Sequence, residues 1–572
     1  MNRLLLIYDL QAAGFLGQGD RWYLHTQLGH SQHQQANRFY QDFFKPLCHQ
    51  GLGLPEGERP LPLQAKLGAI PYLGSRVFQT HPLEQQYPAI ALPDEPFEFF
   101  LGWLAEQNWQ RTFQAVDEPG IITRPLLAGA WEYLMTAKTG KAKVSSSLAL
   151  QEVCAHTIDA YILQSLSHPA AAMDVLMGNL EDSTCHQLVE TVLPTITILD
   201  LACGSGRLLL MAGERLWQLY QACWNYAQTS SHPLLQTWVR SLQNTKSTTA
   251  WTLKQRILTQ NLYGLDLSPE AVDITQLQLW LALLSTATVP DDIAPLPDLD
   301  FSITTGNALV GFIRVDEAGF DKITSKRQRP TSQHETVLQG NLLQPLAAAN
   351  YRDTLAERQI RVEHYRTQTK AMAEVDNIPE YVQTEFLRDR IDAVNQAAQQ
   401  KLNRLLLTTM SQQFGIQVRE PQPSGHPHKR LLNLADIEAL QPFHWGFFFN
   451  TILEQRGGFD IILTHLPAGT LRPNTDEFYT EYVHLFQQHE IAPSAWRRSR
   501  KAILRQFPTF AKLWSAYAGR FSYLRDYFRR NHAYQLPSTP TATRSLPLKT
   551  LFDQRCAALL SPNGVPPYLH NP

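Results

Sequence analysis

Cysteine is scarce and scattered. The chain of 572 residues has six (Cys48, Cys154, Cys185, Cys203, Cys223 and Cys556), with no CxxC and no Cys/His cluster at metal-ligand spacing. That leaves neither a zinc-site signature nor a disulfide framework, and a reducing cytoplasm is the simple reading. A surplus of charge is missing too. Lys and Arg total 50 against 52 Asp and Glu, a formal net charge of -2, so no global basic field announces nucleic acid, and such a contact has to come from a local patch. No run approaches the roughly 20 apolar residues of a membrane span. The opening "MNRLLLIYDLQ" is interrupted by Asp9 and is too short and polar for a signal peptide. No internal repeat or long low-complexity tract is present.

What remains is a soluble globular composition, long enough for about two to four domains with their own cores. Residues 1–143 are mostly helical in pattern and rich in aromatics, as in "ANRFYQDFFKPLC" and "PFEFFLGWLAEQNW". Between these lies "AIPYLGSRVFQTHPLEQQYPAIALPDEPF", whose prolines and glycines fit an irregular segment or small hairpin. In 144–330, strand-like runs such as "TITILDLA" and "NLYGLDLS" alternate with long apolar-periodic helices. That alternation predicts βαβ units and a parallel, Rossmann-like α/β sheet. Residues 331–440 read as a helical hairpin inserted between two sheet strands and closed by a linker, "REPQPSGHPHK". The sheet resumes at "FDIILTHLP" within 441–572, which is otherwise helical and aromatic.

The run "ILDLACGSGRLLLMAGERLWQL" takes an apolar strand into Asp200, then a turn of small residues (Ala202, Cys203, Gly204, Ser205, Gly206), then an amphipathic helix. Glycines there let a ligand lie against bare backbone at a helix N-terminus. A tight strand-to-helix turn that binds nothing is the alternative. "NLYGLDLSPEAV" puts Asp266 at the next strand end, where a carboxylate can accept from both ribose hydroxyls. "DFSITTGNALVGF" ends the third strand at Gly306 and Asn307, whose amide suits an adenine edge. Asp at a strand end also serves as an N-cap, and Asn in a turn also makes a local Asx-turn.

These three stretches, D-x-A-C-G-S-G, Y-G-L-D-L-S-P-E-A-V and T-G-N-A-L-V-G, resemble motifs I, II and III of gamma-class adenine-N6 DNA methyltransferases, in that order. The nearest group is the large enzymes of type IIG restriction-modification and BREX-like phage-defence systems. The likeness extends to "QAAGFLGQGDRWYL", "FYQDFFKPLC", "AIPYLGSRVF" and "ITRPLLAGAWEYL" in the leading region, and later to "PFHWGFFFNTILEQRGGFDIIL" and "SAYAGRFSYLRDYFRRN". The resemblance implies an S-adenosylmethionine-dependent methyltransferase sheet, incomplete at its C-terminal side, with a helical N-terminal domain and a helical insertion. S-adenosylmethionine would lie across the strand ends. Asp200 and the turn of Ala202, Cys203, Gly204, Ser205 and Gly206 would hold its methionine part, Asp266 its ribose and Asn307 its adenine. The implied substrate is adenine in DNA.

In that family the strand corresponding to "FDIIL" runs into G-N-P-P-Y. The resemblance aligns Thr464 with the Gly, His465 with the Asn, Leu466 and Pro467 with the two prolines and Ala468 with the Tyr, so of the four catalytic positions His465, Leu466, Pro467 and Ala468 only Pro467 keeps its residue. The adenine N6 lone pair is delocalised into the ring, and the family's Asn and neighbouring carbonyl accept both N6 hydrogens while the Tyr stacks on the flipped base. His465 offers at most one acceptor nitrogen, only when neutral. Ala468 offers no ring. Losing one aimed hydrogen bond costs roughly 3 to 4 kcal/mol and losing a stacked base about 1 to 3 kcal/mol. Together these slow transfer by on the order of 10³ to 10⁵. Leu466 also lacks the fixed φ of proline, and a histidine in such a position is more often a turn residue than a base.

Other departures run the same way. The family's aromatic-Thr-Pro element before motif I is replaced by "KVSSSLALQEV", and its N-L-Y element by Pro547, Leu548 and Lys549. The family continues past the equivalent of Gly564 with more sheet strands and a target-recognition domain, where this chain ends eight residues later. "WRRSRKAILRQF", with Arg497, Arg498, Arg500 and Lys501, and "YLRDYFRR" interleave arginines with aromatics at near-helical spacing, a DNA-facing patch or a solvated basic face. The sequence therefore leaves three readings. One is an adenine-N6 DNA methyltransferase completed by a separately encoded fragment or by a modified role for His465. The others are a catalytically dead cofactor- or DNA-binding subunit of a defence complex, and a remnant of a longer methyltransferase.

Overall fold

Short runs of buried apolar residues build the central sheet. In a computed structural model the described residues are 1–111, 121–123, 127, 129–131, 147–166, 172–245, 247–325, 350–374, 379–420, 428–467, 469–535 and 546–566. Apart from a two-residue parallel pair, Asn108–Trp109 with Ile121–Ile122, the strands among the described residues are β1 (Ile198–Asp200), β2 (Leu262–Asp266), β3 (Ile303–Thr305), β4 (Gln417–Glu420), β5 (His428–Leu431), β6 (Phe459–Ile462) and β7 (Leu560–Val565). Five of them form one sheet in the order β3-β2-β1-β6-β7, every neighbouring pair parallel. β1 and β6 are buried along their whole length, as expected of parallel strands covered on both faces. The chain runs outward from β1 to β3, then returns to lay β6 and β7 on the other side. The topological switch point therefore falls between β1 and β6.

α1 (Asn2–Ala12) lies outside the layer of helices that packs on the sheet, α2 (Ser147–Leu166), α3 (Arg207–Thr229) and α4 (Pro269–Leu284). From Ala271 to Leu284 only Asp273 of α4 escapes burial, because the helix is enclosed between the sheet and α1. Asp460 of β6 ties these layers together. Its carboxylate accepts from Tyr161 Oη of α2 (2.8 Å), from the Thr197 amide and hydroxyl (both 2.8 Å) and from Arg456 (2.8 Å). In the stretch 69–97, which the sequence offered as irregular or a small hairpin, the chain is irregular with short helical turns at Arg76–Phe78 and Pro82–Gln86 and forms no hairpin.

The inserted segment contributes α5 (Tyr351–Glu374) and α6 (Pro379–Thr408), packed on each other. The linker reading of "REPQPSGHPHK" needs correction at its ends: β4 and β5 pair antiparallel, with Arg419 opposite Lys429. Flanking β-branched and apolar residues, Ile416 and Val418 on one side and Leu432 on the other, are buried and hold the hairpin to the core. A network of charges joins three regions at the base of α6. Arg388 bonds Asp298 (2.5 Å) and Asp300 (3.1 Å), Arg76 of the leading segment bonds Asp300 (3.0 Å) and Asp392 (3.2 Å), and Arg388 lies 4.3 Å over the Phe301 ring. The last helices are α7 (Pro493–Gln506), α8 (Pro508–Arg530) and α9 (Leu548–Leu559). Phe478, Phe486, Trp496, Phe510 and Tyr517 form a separate aromatic core under α7 and α8.

His444 sits wholly buried between α6 and the segment after β3. Its Nδ1 accepts from the Phe312 amide (3.4 Å) and its Nε2–H donates to Asn403 Oδ1 (3.1 Å). Burial pushes its pKa down to about 3. An unfolded histidine takes a proton near pH 6.5, so between that pH and about 3 the unfolded state binds the extra proton and stability falls as pH falls. Relative to His444→Gln, the native chain is expected to lose about 2 kcal/mol more stability between pH 7 and pH 5. Denaturation of both proteins at the two pH values checks this, and parallel losses would contradict it.

Candidate functional site

The carboxyl ends of β1, β2 and β3 lie side by side, because Asp200 pairs in register with Gly264 and Asp266 with Thr305. Asp200 is buried and its Oδ1 accepts from the Ala202 amide (3.1 Å), which folds the chain sharply at the strand end. The turn then closes through two bonds: Cys203 N donates to Leu265 O (3.0 Å) and Gly206 N to Cys203 O (2.8 Å). Gly204 and Gly206 both take left-handed backbone conformations, φ +55° and +81°, and Gly206 is the residue from which α3 starts.

The two glycines differ in surroundings. A Cβ at Gly206 would meet Thr275 of α4 at 2.9–3.0 Å, whereas one at Gly204 meets only Ala202 O at 3.9 Å. Gly204 thus presents bare backbone to open space, and Gly206 is needed for the close approach of α3 to α4. Thr275 braces the turn from behind, donating to Gly204 O (3.1 Å) and lying 3.6 Å from Cys203 Sγ. Nothing in the motif spacing pointed to Thr275. Burial, then the nearby Asp200 and Asp266 carboxylates, hold the Cys203 thiol well above its ordinary pKa, so it fills space as a neutral thiol. Ser205 is buried in the same turn.

Asp266 bridges two strand ends. One carboxylate oxygen accepts from the Gly204 amide (2.9 Å) and the other from the Ser268 amide (2.9 Å). Each oxygen keeps a further lone-pair direction. Burial raises its pKa, opposed by these amides. Asn307 is placed differently from what an adenine contact alone requires. Its Nδ2 donates to Leu440 O (3.1 Å), its Oδ1 accepts from the Leu309 amide (3.1 Å), and its own amide donates to Gln441 O (2.8 Å). The side chain makes the Asx-turn and fastens the third strand end to the segment before His444. The next residues are anchored by Arg555 of α9, buried, with Nη2 2.7 Å from Leu309 O and Nε 3.1 Å from Tyr534 Oη.

Across the switch point, β6 ends beside β1: Leu463 N donates to Leu199 O (2.9 Å). Thr464 is wholly buried and its hydroxyl has no hydrogen-bond partner among the described residues. His465 is exposed, Leu466 and Pro467 are half-buried, and Leu466 packs on the cluster that holds Leu199 and Leu201. Ala468 lies outside the described residues. The far arm of this loop is bridged to the other stretch that departs from the family pattern. Thr470 pairs with Pro547, Leu471 N donates to Leu546 O (2.8 Å) and Leu548 N to Gly469 O (3.0 Å).

The arginines of α7 separate from the aromatics. Trp496 points into the aromatic core, while Arg497, Arg498 and Lys501 are exposed and Arg500 lies 4.5 Å over the Trp514 ring. Arg497 is also paired with Asp476 at 2.6 Å. The interleaving therefore reflects a helix with one buried aromatic side and one basic side, and Trp496 is unavailable for stacking on a base. Among the described residues, no group of His, Cys, Asp and Glu could hold a metal ion and no helix is long and apolar enough to cross a membrane.

An open glycine turn and a carboxylate thus stand at the ends of β1 and β2, and the loop after β6, beside β1, carries an exposed histidine and a hydroxyl with no partner among the described residues. No family model matches the chain. Over 511 residues, 83% of its length, it is 20% identical to a Methanocaldococcus jannaschii protein provisionally named a type II restriction enzyme and methyltransferase, and it spans 41% of that protein.

The glycine geometry predicts unequal effects. Gly204→Ala costs about 1 kcal/mol of stability, the left-handed penalty alone. Gly206→Ala adds the collision with Thr275 and costs about 2 to 4 kcal/mol. Thermal denaturation of both variants is the measurement, and equal shifts would contradict the assignment of the two roles.

Proposed function

We propose that this chain is the S-adenosylmethionine-binding, methyltransferase-fold part of a restriction-modification or phage-defence protein that acts on adenine N6 in DNA. Its acceptor loop is too altered for efficient transfer by the chain alone. The observation that carries the reading is the convergence of Gly204 and Asp266 in one hydrogen bond (2.9 Å) at adjacent strand ends, next to the switch point where open α/β sheets bind ligands. The similarity to the Methanocaldococcus jannaschii protein supports the restriction-modification methyltransferase part of this reading.

The residues fit the cofactor. Gly204 offers uncovered backbone to the methionine portion, and Asp266 retains acceptor capacity for ribose hydroxyls. Bound there, S-adenosylmethionine supplies an electrophilic methyl group. The acceptor side is weaker. His465 provides a single acceptor in place of an amide, and Ala468 provides no stacking surface. The basic outer side of α7, with Arg498 and Lys501, offers phosphate contacts of the sequence-independent kind.

Transfer of a labelled methyl group to adenine in DNA tests the proposal. The native chain is expected to bind S-adenosylmethionine yet transfer slowly. A variant combining Thr464→Gly, His465→Asn, Leu466→Pro and Ala468→Tyr is expected to gain on the order of 10³ to 10⁵ in rate. A native chain that already matches this variant would contradict the acceptor half. Absence of cofactor binding to either protein, both folded by circular dichroism, would contradict the donor half.

A further inference from the structure

A cavity of about 300 Å³ runs along the free edge of β3, from Asp300 and Phe301 before the strand to Thr305 at its end, and is walled by α4, α5 and α6. Neither Gly204 nor Asp266 lines it. Arg358 of α5 does, and it is a cation without a counter-charge. Its Nε donates to Asn395 Oδ1 (2.8 Å), and the guanidinium stands 5.4 Å over the Phe447 ring and 5.6 Å over Phe448. Its two Nη groups have no hydrogen-bond or ion-pair partner among the described residues, and they are not sealed in the core. Burial, then the nearby Arg366 and Arg388, lowers its pKa to about 10, so Arg358 still carries its charge at neutral pH. A largely buried charge with no partner costs stability, and an anion in the cavity would relieve that cost. No residue of α5 entered the sequence-based site, because an arginine on a charge-rich helix reads as solvated surface.

The carboxylates nearby are not available to Arg358. Asp300 and Asp392 each bond both Arg76 and Arg388, at 3.0 to 3.4 Å, and Asp298 is held by Arg388. Glu357, its neighbour on α5, is held by Arg361 (2.6 Å). Asp273 of α4 lines the cavity but is exposed. Away from Arg358 the surroundings are acidic, since Asp273, Asp298, Asp300 and Asp392 outnumber Arg76 and Arg388, and a doubly charged anion is repelled. A single carboxylate matches the planar fork of an arginine. Phe301, Ile303 and Phe448 add apolar surface beside it.

We propose that this cavity binds a small organic monocarboxylate, its two oxygens on the Nη groups of Arg358 and its apolar part against Phe301 and Phe448. The site lies on the flank of the sheet, and its assignment does not rest on the donor half of the proposed function.

Modification of the full chain by phenylglyoxal, which attacks guanidinium groups, tests the proposal when peptide mass spectrometry follows each arginine and benzoate serves as the probe. Saturating benzoate is expected to slow modification of Arg358 by about tenfold or more and to leave the exposed Arg498 unchanged. Inorganic phosphate and S-adenosylhomocysteine are expected to protect Arg358 far less. In calorimetry, Arg358→Lys, which keeps the charge and loses the fork, is expected to bind benzoate about tenfold more weakly than the native chain. An Arg358 that reacts at the same rate with and without benzoate, or that does not react at all, would overturn the proposal. Protection by S-adenosylhomocysteine equal to that by benzoate would give the cavity to the cofactor, and stronger protection by phosphate would contradict the ligand class; either result overturns it.

Discussion

The bond from the Gly204 amide to the Asp266 carboxylate (2.9 Å) joins the turn after the first strand to the end of the second. It requires the left-handed Gly204, the sharp fold imposed by Asp200 and a parallel register that carries Asp266 beyond Gly264. Once it is made, the helix dipole of α3, the bare turn and a partly desolvated carboxylate face the same space. The remainder of the sheet serves that placement. Asp460 locks β6 against β1 and α2, and Arg388 with its aspartates seats the inserted helices against the outer edge of β3.

An asymmetry runs through the site. The turn and strand ends around Asp266 are braced from several directions, by Thr275 behind the turn, by Ser268 on Asp266 and by Arg555 and Tyr534 on the segment after Asn307. The loop after β6 has a Thr464 hydroxyl without a hydrogen-bond partner among the described residues, an exposed His465 and a backbone bridge to Pro547. Left-handed glycines and buried carboxylates cost stability, and the proposed function, ligand retention with weakened transfer, is a reading that would account for both arrangements.

The strand, turn and helix at 198–229 and the strand ending in Asp266 were legible because their signals are local: apolar run, acidic end, small-residue turn, capped helix. What escaped the sequence depends on distant partners. Asn307 is engaged by Leu440, 133 residues away, so no local pattern separates its turn-making use from ligand contact. Residues 419–429 read as a linker because their proline-rich middle hid the two short strands, 417–420 and 428–431, that reach into their ends. In α7 the alternation of arginine and aromatic side chains was visible, but which side faced inward was decided by the packing of Trp496 on Phe478 and Phe486.

A crystal structure of the chain with S-adenosylhomocysteine examines the donor site directly. The expected result is ligand density against the uncovered Gly204 backbone, with the ribose hydroxyls on the Asp266 carboxylate. Density for the ligand elsewhere, with that carboxylate still bound only to the amides of Gly204 and Ser268, would contradict it.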